Sequence, residues 1–387
     1  MSIPRMVRRP LVLLRVSLFG AVALVVALAA SPVRASQAAT YQLNAAHTGV
    51  ATSPGLVPPL KEKWSVSFNS VPSYAAIGDG AVYVVVGNSS AKTTDVYALS
   101  PADGHTLWGP VSIKGGFFVG GQLAYDSGQV FMVDANGFAA ALDAKTGAQN
   151  WARSLNGQTN VFSPPTPLNG TLYVVLDGAP GLLLAVDEAT GKLKWAAPTE
   201  NGDSPATATA SAIFVNCVGP ETEALNPANG ALLWMFTGNV EGGGGSTAVF
   251  SEGSLYGTEV LGSISFGYRY NATTGAVKGT FDSTKTPAVD KTTGFLVLQG
   301  SIQAENMITQ AILWTATLPA QTIAAPPIVI NHVVYCVTTT GTLYGFDETT
   351  GNQLFSAPLG DTPSGKGLTA ANGLLVVPTN TRLVAFH

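Results

Sequence analysis

The sequence predicts an all-β protein, an eight-bladed β-propeller of four-stranded antiparallel blades closed by pairing of its N- and C-terminal strands. Three observations carry this. One phrase recurs at a near-constant interval. Alternating β-branched and aromatic runs stand around each copy. The two chain ends each hold half of what one further copy needs.

The phrase is an acidic, amide or hydroxyl residue, a Thr-Gly or variant, and a bulky residue eight positions after the first. It reads Asp143-Ala-Lys-Thr-Gly147 to Trp151, Asp187-Glu-Ala-Thr-Gly191 to Trp195, Asn226-Pro-Ala-Asn-Gly230 to Trp234, and Asp347-Glu-Thr-Thr-Gly351 to Phe355. Weaker copies run from Ser100 to Trp108, Asn271 to Gly279, and Asn306 to Trp314, where Gln310 replaces the glycine. Successive glycine positions lie 35 to 45 residues apart. A fixed period near 41 residues marks a repeat architecture in which each unit buries its faces against its neighbours.

Runs such as Ala81 to Val86, Thr171 to Val175 and His332 to Cys336 read as strands. The Asp-x-x-Thr-Gly piece is a tight turn, since Asp hydrogen-bonds nearby backbone and glycine takes positive φ without a Cβ clash. A hairpin follows. With an inner strand starting near Ser163-Pro164 or Ser204-Pro205, each period holds four strands, one propeller blade. The C-terminus, Thr381 to His387, matches Thr342 to Asp347 but lacks the outer strand that should follow. Lys61 to Phe68, around Trp64, supplies that strand with no hairpin before it. Pairing the ends completes an eighth blade and leaves no open gap between the first and last blades.

Residues 1–35 read as a signal peptide: Arg5, Arg8, Arg9 and Arg15 precede the apolar run Val16 to Ala30, then Val33-Arg34-Ala35 as a cleavage site. A run of fifteen residues falls short of the ~20 that span a bilayer. No cysteine stands near that site, which argues against a lipid anchor. Residues 36–59 read as an N-terminal extension, with removal of 36–55 expected to be mild, and 60–387 as the propeller. Sequons begin at Asn88, Asn169 and Asn271 and matter only in a eukaryotic host.

Charged residues make up 11% of the chain, against ~25% in an ordinary domain. A net charge of −4 gives no basic face for nucleic acid. Cys217 and Cys336 fall in equivalent strands, expected third in blades 4 and 7. Being three blades apart, they read as buried free thiols beyond disulfide reach. Neither has a Cys-x-x-Cys-His or a histidine at metal-ligand spacing. Trp64, Trp108, Trp151, Trp195, Trp234, Trp314 and Phe355 are expected to dock blade on blade rather than stack on a ligand. One carboxylate per turn is far short of a calcium site. Gly242 to Gly245 reads as a flexible connector between blades 4 and 5.

The repeated phrase, its eightfold count and the opening Tyr41…His47-Thr48-Gly49…Pro58-Pro59-Leu60…Trp64 resemble the pyrroloquinoline-quinone-like (PQQ-like) β-propeller repeat family over about residues 41 to 387. That family includes quinoprotein alcohol dehydrogenases, the propeller lipoprotein of outer-membrane β-barrel assembly, and secreted proteins of unassigned role. A shared fold does not settle which. The enzyme reading, a PQQ-dependent alcohol or sugar dehydrogenase, implies a quinone over a Trp floor, a polarising Ca²⁺ and an Asp base. It also implies a vicinal disulfide and long insertions. This sequence has no Cys-Cys pair and leaves 41 residues per blade from Leu60 to His387. Its four histidines, His47, His105, His332 and His387, form no recognisable catalytic order.

The expectation is therefore a secreted, periplasmic or extracellular monomer without cofactor or metal, binding a protein or cell-surface partner. Blades 5 and 6 depart most from the repeat, and Glu241, Glu259, Tyr268, Arg269 and Tyr270 read as exposed partner-binding positions there.

Overall fold

A computed structural model describes residues 37–387 except 115–120, 156–162, 179–180, 201–203, 218–220, 239–243, 262–263 and 319–320. The expected signal segment lies outside the described residues, as do Glu241 and the first half of the glycine tract. All regular structure among the described residues is β.

Eight antiparallel sheets follow one another along the chain. Blade 1 is Ala76–Gly78, Ala81–Asn88, Thr93–Leu99 and Thr106–Lys114, ordered from inner to outer strand. Blade 2 is Gly121–Asp126, Gln129–Asp134, Phe138–Asp143 and Gln149–Ser154; blade 3 is Thr166–Leu168, Thr171–Leu176, Gly181–Asp187 and Leu193–Thr199. Blade 4 is Thr207–Ala208, Ile213–Cys217, Glu221–Leu225 and Leu232–Thr237; blade 5 is Val249–Ser251, Ser254–Leu261, Ile264–Asn271 and Val277–Phe281. Blade 6 is Ala288–Asp290, Thr293–Leu298, Ser301–Asn306 and Ala311–Thr317; blade 7 is Ile328–Ile330, Val333–Val337, Thr342–Asp347 and Gln353–Pro358. Blade 8 takes Thr369–Ala371, Leu374–Pro378 and Arg382–Phe386 from the C-terminus and Glu62–Ser67 from the N-terminus. Trp64 stands opposite Ala385, and Lys61 and His387 exchange two backbone hydrogen bonds of 3.0 Å. The expected closure is present.

Apolar seams join each blade to the next, for example Tyr83, Leu123 and Val130 between blades 1 and 2, and Leu172, Val174 and Phe131 between blades 2 and 3. Both faces of a blade are covered, so a middle strand can be buried along its whole length, as in Thr171–Leu176. Cys217 and Cys336 are buried free thiols in two different seams. Each stands in the second strand of its blade, not the third.

The recurrent turn is built as its residues dictate. Asp143 Oδ1 accepts from Thr146 N and Thr146 Oγ1, both at 2.8 Å, and Gly147 N closes on Asp143 O at 2.8 Å. Asp187 and Asp347 repeat the pattern with Thr190 and Thr350. These bonds, led by the threonine hydroxyl, hold the three carboxyls below the usual aspartate range.

Two expectations are corrected. Gly244–Gly245 is a short strand paired with Glu259 and Val260, so this half of the tract is part of blade 5. Residues 38–56 are not a free tail. They circle the channel and meet the blades in order. Ala38 pairs with Ile77 of blade 1, Ala39 O accepts from Tyr125 N of blade 2, and Thr40 Oγ1 donates to Pro165 O ahead of blade 3. Ala45 O, Ala46 O, Thr48 O and Gly49 O then accept from Ala208, Phe250, Val289 and Val329 of blades 4 to 7, at 2.7 to 3.0 Å. Ser53 Oγ accepts from Gly373 N of blade 8 at 2.8 Å. Inner strands have no further neighbour within their own blade. This strap takes up part of their unpaired backbone, which would otherwise remain costly in a narrow channel.

Candidate binding site on the propeller axis

One pocket gathers residues from all eight blades. It lies on the ring axis, has a volume of about 400 Å³, and is lined where the chain leads into each inner strand. Tyr74, Pro164, Pro205, Thr247, Thr286 and Pro326 each stand two residues ahead of their inner strand. Gln122, Ser204, Ser246, Thr284, Lys285, Gly365 and Lys366 complete the wall, and Tyr41 of the strap forms part of it from below.

Serines anchor this ring. Ser163 Oγ donates to Val175 O at 2.8 Å and Ser204 Oγ to Asn216 O at 2.7 Å, each pinning the lead-in to the second strand of its blade. Tyr41 packs edge-on against Tyr74, ring centroids 5.7 Å apart, and Tyr74 donates its hydroxyl to Leu123 O. His47, fully buried, sits 2.7 Å from Tyr41 O through Nδ1 and 3.0 Å from Ala206 O through Nε2. Burial pushes its pKa down. A neutral ring donates to one of these two carbonyls, and Thr166 Oγ1 lies 3.3 Å from Nε2. Burial pushes the Tyr41 phenol up, so it remains a hydrogen-bond donor near neutral pH.

Among the described residues the pocket wall carries two ammonium groups, hydroxyls and an amide, but no carboxylate. That set does not fit the quinoprotein arrangement. Calcium takes six to eight oxygens with carboxylates among them, and an alcohol needs a base. All six tryptophans stand in outer strands, away from the axis. A second groove of about 450 Å³ runs along the closure seam beside Phe68, Asn88, Asp95 and Tyr97, but only blades 8 and 1 line it.

The docking aromatics follow a single geometry. Each Trp donates its indole N–H to the carbonyl after the first residue of the next blade's turn: Trp64 to Pro101, Trp108 to Ala144, Trp151 to Glu188, Trp195 to Pro227, Trp234 to Ala272 and Trp314 to Glu348, at 2.8 to 3.1 Å. Its ring lies on that turn's glycine. A Cβ on Gly147, Gly191, Gly230, Gly275 or Gly351 would stand 2.6 to 2.7 Å from indole atoms, and on Gly104 2.9 Å. These glycines also have φ between +67° and +76°. They are therefore fixed twice, by conformation and by contact. Phe355 is buried in the seam between blades 7 and 8. A register shift next to the docking residue in each blade, as between Gln149 and Trp151, is a bulge that re-aims the side chain. Sequence spacing carries no sign of it.

Gly279 and Gln310 are two halves of one exchange. Where blade 5 has no tryptophan, blade 6 has no glycine. Gln310 adopts φ +60° and its Nε2 crosses to Thr280 O at 2.7 Å. Phe281, two positions on, takes over the packing and meets Tyr256 edge-on, ring centroids 6.2 Å apart.

Of the residues expected to bind a partner, the four that are described are not in an exposed loop. Glu259 and Tyr270 are 3% and 0% exposed inside strands of blade 5, and Tyr268 and Arg269 are half-buried. Blade-on-blade packing covers them, which an acidic and aromatic composition does not reveal. Burial raises the Glu259 carboxyl to about 8 and, with Asp126 beside it, Glu188 to about 8. Two histidines do meet carboxylates, His105 with Asp103 at 2.6 Å and His332 with Glu348 at 2.8 Å. Both imidazoles are exposed, and neither lines the axial pocket.

The family model for the outer membrane protein assembly factor BamB, one of PQQ-like repeats, matches residues 92–237 and 222–387. The chain belongs to this family. It is 26% identical over 287 residues to the outer membrane protein assembly factor BamB of Moranella endobia, covering 70% of this chain and 65% of that relative's length. Among solved structures, BamB from Moraxella catarrhalis is similar with a TM-score of 0.65 and 17% identity, over 85% of this chain and 97% of that one. Quinohemoprotein alcohol dehydrogenase from Comamonas testosteroni gives 0.68 at 14% identity, over 91% and 80%. At such identities these two likenesses show the fold.

Proposed function

We propose that this BamB-family chain is a non-catalytic binding propeller of the cell envelope, exported by its N-terminal segment and working as a scaffold for a protein partner. The observation that carries the reading is the ring itself. It is closed by its own termini and its inner strands are tied together by residues 38–56, so it offers a rigid outer surface. Membership of the BamB family supports a protein as the partner.

Blades 4 to 6 remain the proposed docking region, on different residues from those the sequence suggested. The outer strand of blade 4 exposes Leu232, Leu233 and Met235 to 56%, 49% and 51%, and that of blade 6 exposes Ile312 and Leu313 to 63% and 52%. Neither strand contains a charge or a proline, the usual guards of an open sheet edge. Other outer strands carry Lys63, Arg153, Lys194, Lys278 or Pro358. A partner strand adding to such an edge would satisfy its free backbone groups.

The test is affinity capture from envelope fractions with the wild type and a Leu233→Lys, Leu313→Lys variant. Capture of one dominant protein by the wild type alone supports the reading, and equal capture by both refutes the site. The dehydrogenase alternative is tested by adding PQQ and Ca²⁺. A bound-quinone absorption band with dye-linked alcohol oxidation would overturn the non-catalytic assignment.

A further inference from the structure

We propose that the axial pocket binds a small dianionic ligand, of the size of a dicarboxylate or an inorganic oxyanion, held between Lys285 and Lys366. Its volume of about 400 Å³ lies within the ~300–1,000 Å³ typical of small-molecule sites. Tyr41 of the strap, which circles the channel through hydrogen bonds to the inner strands, forms part of its wall.

The charge pattern gives the ligand its sign. Among the described residues, neither lysine forms an ion pair: the three recorded salt bridges involve His105, Lys194 and His332. Lys285 is half-buried, and Lys366 is exposed at the mouth. The rest of the described wall is neutral, so nothing there offsets the two positive charges. In a partly enclosed site, that field concentrates anions and disfavours cations.

The repeat geometry gives the ligand its shape. Lys285 belongs to the lead-in of blade 6 and Lys366 to that of blade 8, with Pro326 of blade 7 between them. The lead-in positions of blades 3, 4 and 7 are prolines, without a hydrogen-bond donor. The cations are therefore confined to one arc of the ring. A ligand with two separated negative ends satisfies both, while the Tyr41 phenol and the Thr286 hydroxyl supply neutral donors. This ligand is independent of the protein partner, whose proposed edge lies on the outer strands.

The test is isothermal titration of the purified full chain with succinate, sulfate and, as a neutral control, glucose. Succinate or sulfate is expected to bind at one site, with affinity falling as salt is raised. The two arms separate a carboxylate from an inorganic ligand. Lys285→Met and Lys366→Met are each expected to weaken binding about tenfold or more, while Lys366→Arg, which keeps the charge, retains most of it. Thermal unfolding of each variant confirms that the ring is intact. The proposal is overturned if folded wild type binds neither anion at about 10 mM, a ~3 kcal/mol threshold. It is also overturned if both methionine variants bind as the wild type does, or if glucose binds as well as the anions.

Discussion

The contact between Trp151 and Gly191 lends itself to a double-mutant cycle. Trp151 is 7% exposed, its indole N–H reaches Glu188 O at 2.8 Å, and its ring leaves no room for a Cβ on Gly191, which would stand 2.6 Å away. Trp151→Ala should cost about 3–5 kcal/mol as a large buried-aromatic truncation. Gly191→Ala carries two separate penalties. A non-glycine residue at φ +67° costs about 1–2 kcal/mol, and forcing the ring aside adds about 1–3 kcal/mol. Removing the tryptophan first relieves the second penalty, apart from the flexible Arg153 side chain whose Nε stands 2.8 Å from that Cβ, and leaves the first. The double variant should therefore be about 1–3 kcal/mol more stable than the sum of the singles predicts. Urea midpoints and thermal unfolding, checked for a single transition, measure this. Additivity to within about 0.5 kcal/mol would refute the contact as the origin of the glycine requirement.

The strap predicts that removing residues 36–55 lowers the melting temperature sharply or yields aggregate, seen by calorimetry and light scattering; an unchanged melting temperature would refute its role. The Gly279 and Gln310 exchange predicts that Gly279→Trp alone destabilises, while adding Gln310→Gly recovers most of the loss. No recovery in thermal unfolding would show that the two positions are unrelated. Glu188 and Glu259, at about 8 when folded against ~4.5 unfolded, hold protons that the unfolded chain releases. Their favourable contribution is complete below pH ~4.5 and is lost as pH rises through 8. Glu188→Gln and Glu259→Gln should change the melting temperature little at pH 4.5 and raise it by a few degrees at pH 9, and a fall at pH 9 would contradict this. His47 works in the opposite sense. Its lowered pKa costs stability as pH drops below ~6.5.

The blade count and ring closure were legible because each rests on local chemistry repeated many times. A threonine-glycine turn and an aromatic eight positions on carry the same information in every copy. The strap was not legible. Ala38, Ala39, Ala45 and Ala46 bind through backbone atoms, which no side-chain pattern announces. The candidate partner residues misled for a related reason. Glu259 and Tyr270 look like surface chemistry, but blades buried on both faces have no outward side along their middle strands. Gly279 and Gln310 were visible as separate departures, and only the geometry shows that they answer each other. The axial lysines lie outside the repeat, so their meeting on one arc required coordinates.

The seal between Glu62–Ser67 and Arg382–Phe386 also bears on how the molecule comes into being. The earliest propeller strand leaving the ribosome belongs to the last blade, and the strap before it finds partners only as each blade appears. The strand, and the last strap contact between Ser53 and Gly373, must wait for more than 300 residues of chain. Contacts of such sequence separation form slowly and leave strand edges open meanwhile. A prematurely terminated product therefore has no smaller closed form to settle into.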